Sequence, residues 1–145
     1  MSEPRRPVLR TLGIDPGSKR IGLALGVGAV ASPHRVVTRT RDLEGDLRSI
    51  VADIAEFEID IVVVGLPISL DGRHGAAARA ATELADRLAR LTSVPVEMHD
   101  ERLTTVTAER SLAEAGLDSR RRREVVDKVA AAVMLQAWLD SRGPS

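Results

Sequence analysis

The chain predicts an α/β fold, a five-stranded mixed sheet flanked by helices. Three observations carry this. Ile21–Val27 alternates in period two, the mark of a strand. Ile59–Leu66 is an apolar, β-branched run without polar alternation, the pattern of a parallel strand buried on both faces. The segments after these runs repeat their apolar residues at helical spacing.

Taken in order, Val8–Asp15 reads as the first strand. In the second, Ile21, Leu23, Leu25 and Val27 share one face, and Gly22, Ala24 and Gly26 the other. The small face predicts an element packed closely on it. The link Pro16–Arg20 is short and holds Pro-Gly, so the two strands should form an antiparallel hairpin. His34–Thr40 is a candidate third strand. Leu43, Leu47, Ile50, Val51 and Ile54 mark a helix. After the β-branched run, Ala77, Ala81, Leu84, Leu88 and Leu91 mark a second helix, and Pro95–His99 a short strand. Thr105–Ala115 reads as a helix with Thr104 or Thr105 as N-cap and Gly116 as its stop. Asp118 or Ser119 caps the last helix, Arg120–Ser141. Three strands in a meander, then strands joined by helical crossovers, are the arrangement of the ribonuclease H-like fold. The expected spatial order is 3-2-1-4-5, with the first strand central.

A chain of 145 residues is long enough for one well-buried domain, expected over 8–141, with 1–7 and 142–145 as flexible termini. The absence of cysteine excludes disulfides and Cys-based zinc sites, and agrees with a reducing compartment. Charges and prolines stand in MSEPRRPVLR where a signal peptide needs an apolar stretch. The longest apolar run, Ile61–Leu70, is too short to span a bilayer. A cytoplasmic protein without membrane contact is the expectation. The formal net charge is zero, so overall charge does not announce a nucleic-acid partner. Phe57 and Trp138 are the only aromatic residues, which excludes a base-stacking sheet. Any nucleic acid must be gripped through phosphate charge and shape.

Three carboxylates carry the chemistry. Asp15 ends the first strand in GIDPGSKRIGLAL, and Pro16-Gly17 turn the chain at once, leaving bare backbone for a phosphate or a metal-bound water. The plainer reading of Asp-Pro-Gly is a hairpin turn. Asp127 shares a helix face with Ala130, Ala131 and Met134. A carboxylate there needs a partner, either a metal or a neighbouring Arg or Lys128. Glu101 follows the short strand beside Asp100. Neighbours on extended chain point opposite ways, so one of the two enters the site, and Glu101 is the expected one. Together Asp15, Glu101 and Asp127 suit one or two Mg²⁺ (or Mn²⁺) ions, which take oxygen ligands. Lys19, Arg20, Arg102 and the run Arg120–Arg123, with Arg120 and Arg123 at its ends, are candidate phosphate contacts. For the run, a solvated helix face is the plain alternative. The histidines lack ligand spacing, and Gly13–Lys19 fails the P-loop pattern.

GIDPGSKRIGLAL, VVVGLPISLDG, DERLTT and VVDKVAAAVMLQAWLD, in this order and separation, resemble the YqgF/RuvX family from about Leu12 to Asp140. These are RuvC-like proteins of the ribonuclease H superfamily. The resemblance implies a metal-dependent nuclease with its acids at Asp15, Glu101 and Asp127. It implies a role in maturing the 5′ end of pre-16S rRNA during ribosome biogenesis. The alternative is a Holliday junction resolvase acting on branched DNA, which needs two sites and hence a symmetric homodimer. The arginine run before VVD departs from the more mixed Lys/Gly segment expected there. Two further classes are an actin-like ATPase, whose phosphate hairpin GIDPGSKRIGLAL also resembles, and a non-catalytic RNA-binding assembly factor. The first needs two such domains, and 145 residues supply one.

Overall fold

The computed structural model describes residues 8–68, 75–101 and 119–142, and for 119–125 the backbone alone. Strands β1 (Arg10–Pro16), β2 (Arg20–Val27), β3 (Val30–Thr38), β4 (Ile61–Leu66) and β5 (Val96–Asp100) form one sheet in the order β3-β2-β1-β4-β5. Helices α1 (Leu43–Glu56), α2 (Ala76–Leu91) and α3 (Ser119–Ser141) complete the described elements. This is the expected topology with β1 central. The helix expected over Thr105–Ala115 lies outside the described residues.

The short Pro-Gly link makes β1 and β2 antiparallel, with Asp15 opposite Gly22. β4 runs parallel to β1, and β5 parallel to β4, so all three strands end at the same edge of the sheet. Polar bonds fix that alignment at the opposite end. The Arg10 backbone N–H donates to Asp60 Oδ2 at 2.9 Å, and Asp60 N–H returns a bond to the Arg10 carbonyl at 2.7 Å. Arg10 Nε also donates to the Phe57 carbonyl at 2.7 Å.

Strand alternation divides the core in two. Leu12, Ile14, Ile21, Leu23, Val62 and Val64 face α1 and α2, and are buried with Leu47, Ile50, Leu84 and Leu88. Ala24 and Val63 face α3, where Ala131, Met134, Leu135 and Trp138 close over them. The β-branched run therefore lies inside on both faces, as its composition requires. On α2 the core stripe is Ala78, Ala81, Leu84, Ala85 and Leu88. Ala77, expected on that stripe, is exposed, because one residue's step turns it about 100° from Ala78.

The small face of β2 does hold a close neighbour, α3. A Cβ on Gly22 would fall on the Asp127 carbonyl oxygen, and one on Gly13 would come 2.8 Å from Leu135 Cβ. Gln136 sets the helix along its axis. Its side chain accepts from Ala31 N–H at 2.9 Å and donates to the Ala29 carbonyl at 2.8 Å. These contacts settle where Asp127 stands.

Candidate active site

The C-terminal edge of β1, β4 and β5 gathers the carboxylates. Asp15 has the parity of Thr11 and Gly13, on the α3 side of the sheet, where Gly13 lies under Leu135. Glu101 follows β5 on the far side of β4, so one strand stands between it and Asp15. The residue in between is Gly65. The Glu101 side chain crosses over it, and Glu101 Oε1 occupies the place that a Gly65 Cβ would take. Because Gly65 has no side chain, two acids on non-adjacent strands can meet.

They meet as a hydrogen-bonded pair, and the bond favours the charged form of Asp15 and the neutral form of Glu101. Burial pushes the Glu101 carboxyl up to about 9, helped by the bond to Asp15 and by the charges of Asp15 and Asp100. Burial also raises Asp15; the bond from Glu101 offsets part of this, and the charge of Asp127 adds to it. Two acids in one half-buried place cannot both ionise at low cost.

Asp127 reaches this pair through its charge, but its carboxylate is held elsewhere. Arg20 Nε donates to Asp127 Oδ2 at 2.5 Å, with the two side chains 26% and 21% exposed. The neighbouring Arg expected as one possible partner of Asp127 is Arg20, which comes from β2. Among the described residues, no three Asp, Glu or His side chains lie close enough to enclose an ion. Asp100 contributes its charge to both Glu101 and His99. Among the described residues, His99 Nε2 is buried without a hydrogen-bond partner, and burial lowers the pKa of the ring.

Of the candidate phosphate contacts, Lys19 is exposed in the β1–β2 turn and Arg20 opens β2. Arg102 lies outside the described residues. Arg120 and Arg123 are on the first turns of α3, where the backbone alone is described. Two basic residues that motif reading passed over are Arg39 and Arg41. They line an open cleft beside Lys19 and Arg20. Their sequence signal is the basic alternation in Thr38-Arg39-Thr40-Arg41 at the end of β3.

Fold and carboxylate placement together define a ribonuclease H-like protein with an acidic site at the end of its central strand. The RuvX family profile, described as a Holliday junction resolvase, matches residues 9–141. The chain belongs to the RuvX family. A relative from Anaeromyxobacter sp. (strain Fw109-5), named "Putative pre-16S rRNA nuclease", is 52% identical over 136 residues, covering 92% of this chain and 98% of its own. A relative of the same name from Myxococcus xanthus (strain DK1622) is 46% identical over 138 residues, covering 94% and 91%. Among solved structures, T. thermophilus RuvC in complex with a Holliday junction substrate is similar in fold. Its TM-score is 0.60 at 19% identity, covering 92% of this chain and 95% of that one.

The Gly65 contact yields a direct test. Gly65→Ala should leave stability within about 1 kcal/mol, since a flexible side chain gives way rather than backbone. It should also separate Glu101 from Asp15. Urea denaturation checks the first expectation. Carboxyl titration by NMR checks the second, where the elevated Glu101 pKa of about 9 should fall.

Proposed function

We propose that this chain is a nuclease that hydrolyses phosphodiester bonds of precursor 16S rRNA, using one or two Mg²⁺ or Mn²⁺ ions held by Asp15, Glu101 and Asp127. The supporting observation is the meeting of the Asp15 and Glu101 carboxyls at the strand ends. Two carboxyls brought together in a half-buried place form a hard-oxygen donor set of the kind a divalent cation takes. Asp15 and Glu101 therefore fit the ion by donor chemistry, and Asp127 would complete the set only on leaving Arg20. When bound, such an ion supplies an activated water and stabilises the leaving oxygen.

The protein's own groups do the rest. Asp15 and Glu101 would have to be ionised to hold a cation, so affinity should tighten as pH rises. Arg20 holds Asp127 and brings a positive charge to the edge where the scissile phosphate must sit. Lys19, Arg102, Arg120 and Arg123 are the further phosphate contacts in this reading. The names of the relatives favour rRNA over junction DNA. The cytoplasm, and one ribonuclease H-like domain over 8–141, belong to the same reading. Among the described residues, no helix is long and apolar enough to cross a membrane.

The test offers precursor 16S rRNA, single-stranded DNA and a four-way DNA junction side by side, with Mg²⁺ or with chelator. Cleavage of the rRNA precursor in Mg²⁺ alone, reduced by Asp15→Asn to the chelator blank, is the expected result. Preferred cutting of the junction by a sedimenting dimer would replace this reading with the resolvase. Full activity of Asp15→Asn would remove the site.

A further inference from the structure

At the same end of the sheet as the carboxylates, on its α2 side, lies an open cleft of about 1020 Å³. One wall is the turn Pro16–Arg20, the floor is the end of β3 with Arg39 and Arg41, and the far wall is the first turns of α2 at Ala77 and Ala80. Its size is at the upper end of small-molecule sites, about 300–1,000 Å³. It begins at the residues that follow Asp15 and includes Arg20, the partner of Asp127.

Its charge is one-sided. Among the described residues, Lys19, Arg20, Arg39 and Arg41 line it, and no acidic residue does. Arg20 is paired with Asp127, but among the described residues Lys19, Arg39 and Arg41 have no carboxylate partner. The nearby acids are engaged at the start of α1. Asp42 Oδ1 accepts from Gly45 N–H at 3.1 Å, and Asp46 accepts from Thr40 N–H at 2.8 Å and from Thr40 Oγ1 at 2.9 Å. Arg39 is braced in place. Its NH1 donates to the Gly17 carbonyl at 3.1 Å, and its backbone N–H donates to the Lys19 carbonyl at 2.9 Å. That leaves most of a rigid guanidinium fork free for an anion. Ala77 and Ala80 are exposed, and their short side chains keep the far wall clear. The first turn of α2 has no acidic residue that would repel a negative ligand.

Unneutralised cations along an open cleft, without an aromatic ring, select a polyanion by its phosphates and not by its bases. We infer that Arg39 and Arg41, with Lys19, form a backbone-gripping track that holds the nucleic-acid strand on one side of the scissile bond. This deepens the nuclease reading and rests on it. It adds two residues and a direction: the strand leaves the carboxylates across the β1–β2 turn, between the end of β3 and α2.

The test is binding in chelator, so that cleavage plays no part. Labelled RNA and DNA strands of about 12 nucleotides, within the usual span of single-strand sites, are titrated by anisotropy over a range of salt. Arg39→Ala/Arg41→Ala should weaken binding at least about ten-fold and lower the slope of log K against log salt by about 1–2. Arg41→Ala alone, at an exposed position without a partner, guards against misfolding and should lower the slope by about 1. Arg87→Ala/Arg90→Ala on the outer face of α2 should change neither. RNA and DNA should depend on Arg39 and Arg41 alike, and ATP should bind far more weakly than either strand. Wild-type affinity and slope in the double variant, or ATP bound as tightly as the strands, would overturn the track. The nuclease reading falls separately, if the wild type binds through these arginines yet cleaves nothing in Mg²⁺.

Discussion

Glu101→Gln is expected to lower metal-dependent cleavage by about 10³-fold while making the metal-free protein more stable at alkaline pH. The loss follows from removing a charged oxygen ligand at the reacting centre. The gain follows from linkage. In the folded chain Glu101 titrates at about 9, against an ordinary 4.5. Between those values the folded state holds a proton that the unfolded chain has released. Unfolding free energy therefore falls as pH rises. The contribution is whole below about 4.5 and is lost as pH climbs through about 9. Asp15, also raised, acts in the same direction. A Gln amide donates to Asp15 at every pH and removes most of this slope. At pH near 8.5 the gain should reach about 1–2 kcal/mol, or roughly 3–6 °C in Tm. Melting curves in chelator from acid to alkaline pH check it: the wild type should decline and the variant stay nearly level. Added Mg²⁺ should restore the wild type at high pH and leave the variant unmoved.

Gly22→Ala attacks the same site through the backbone. The new methyl would meet the Asp127 carbonyl oxygen, and Lys128 N lies 3.2 Å from its position. These are atoms of a helix held at its far end by Gln136 and by the core around Leu135 and Trp138. They cannot swing aside as Glu101 can. Overpacking of this kind should destabilise by about 3 kcal/mol. A helix displaced by about 1 Å should also cut cleavage by about 10²-fold, through misplacement of Asp127. Gly75→Ala, with nothing among the described residues within 4 Å of its Cβ, is the matched control and should change stability by less than about 0.5 kcal/mol. Urea denaturation and single-turnover cleavage on the two variants measure both effects.

Much of the fold is legible in local pattern. Period two in β2, the Pro-Gly link and the β-branched run each bear on one element, and the alternation of strands and helices restricts the sheet to few orders. The small face of β2 even announces its neighbour, though not which helix supplies it. The site is legible in part. Asp15 is readable because a strand ends on it, and Asp127 because its helix face is otherwise apolar. Arg39 and Arg41 are not, since two arginines after a strand look like ordinary surface until the turn at Gly17 and the start of α2 close a cleft around them.

The sequence by itself determined the topology, the edge at which the acids gather and the family, because periodicity, turn chemistry and motif order are local. Only the tertiary structure decided how the acids are paired. Glu101 reaches Asp15 across Gly65, and Asp127 is held by Arg20, a residue 107 positions away in the chain. Those pairings depend on strand order and on how closely α3 settles on glycine, and neither is a property of any one segment. Burial then does what no motif can state, raising the pKa of both carboxyls.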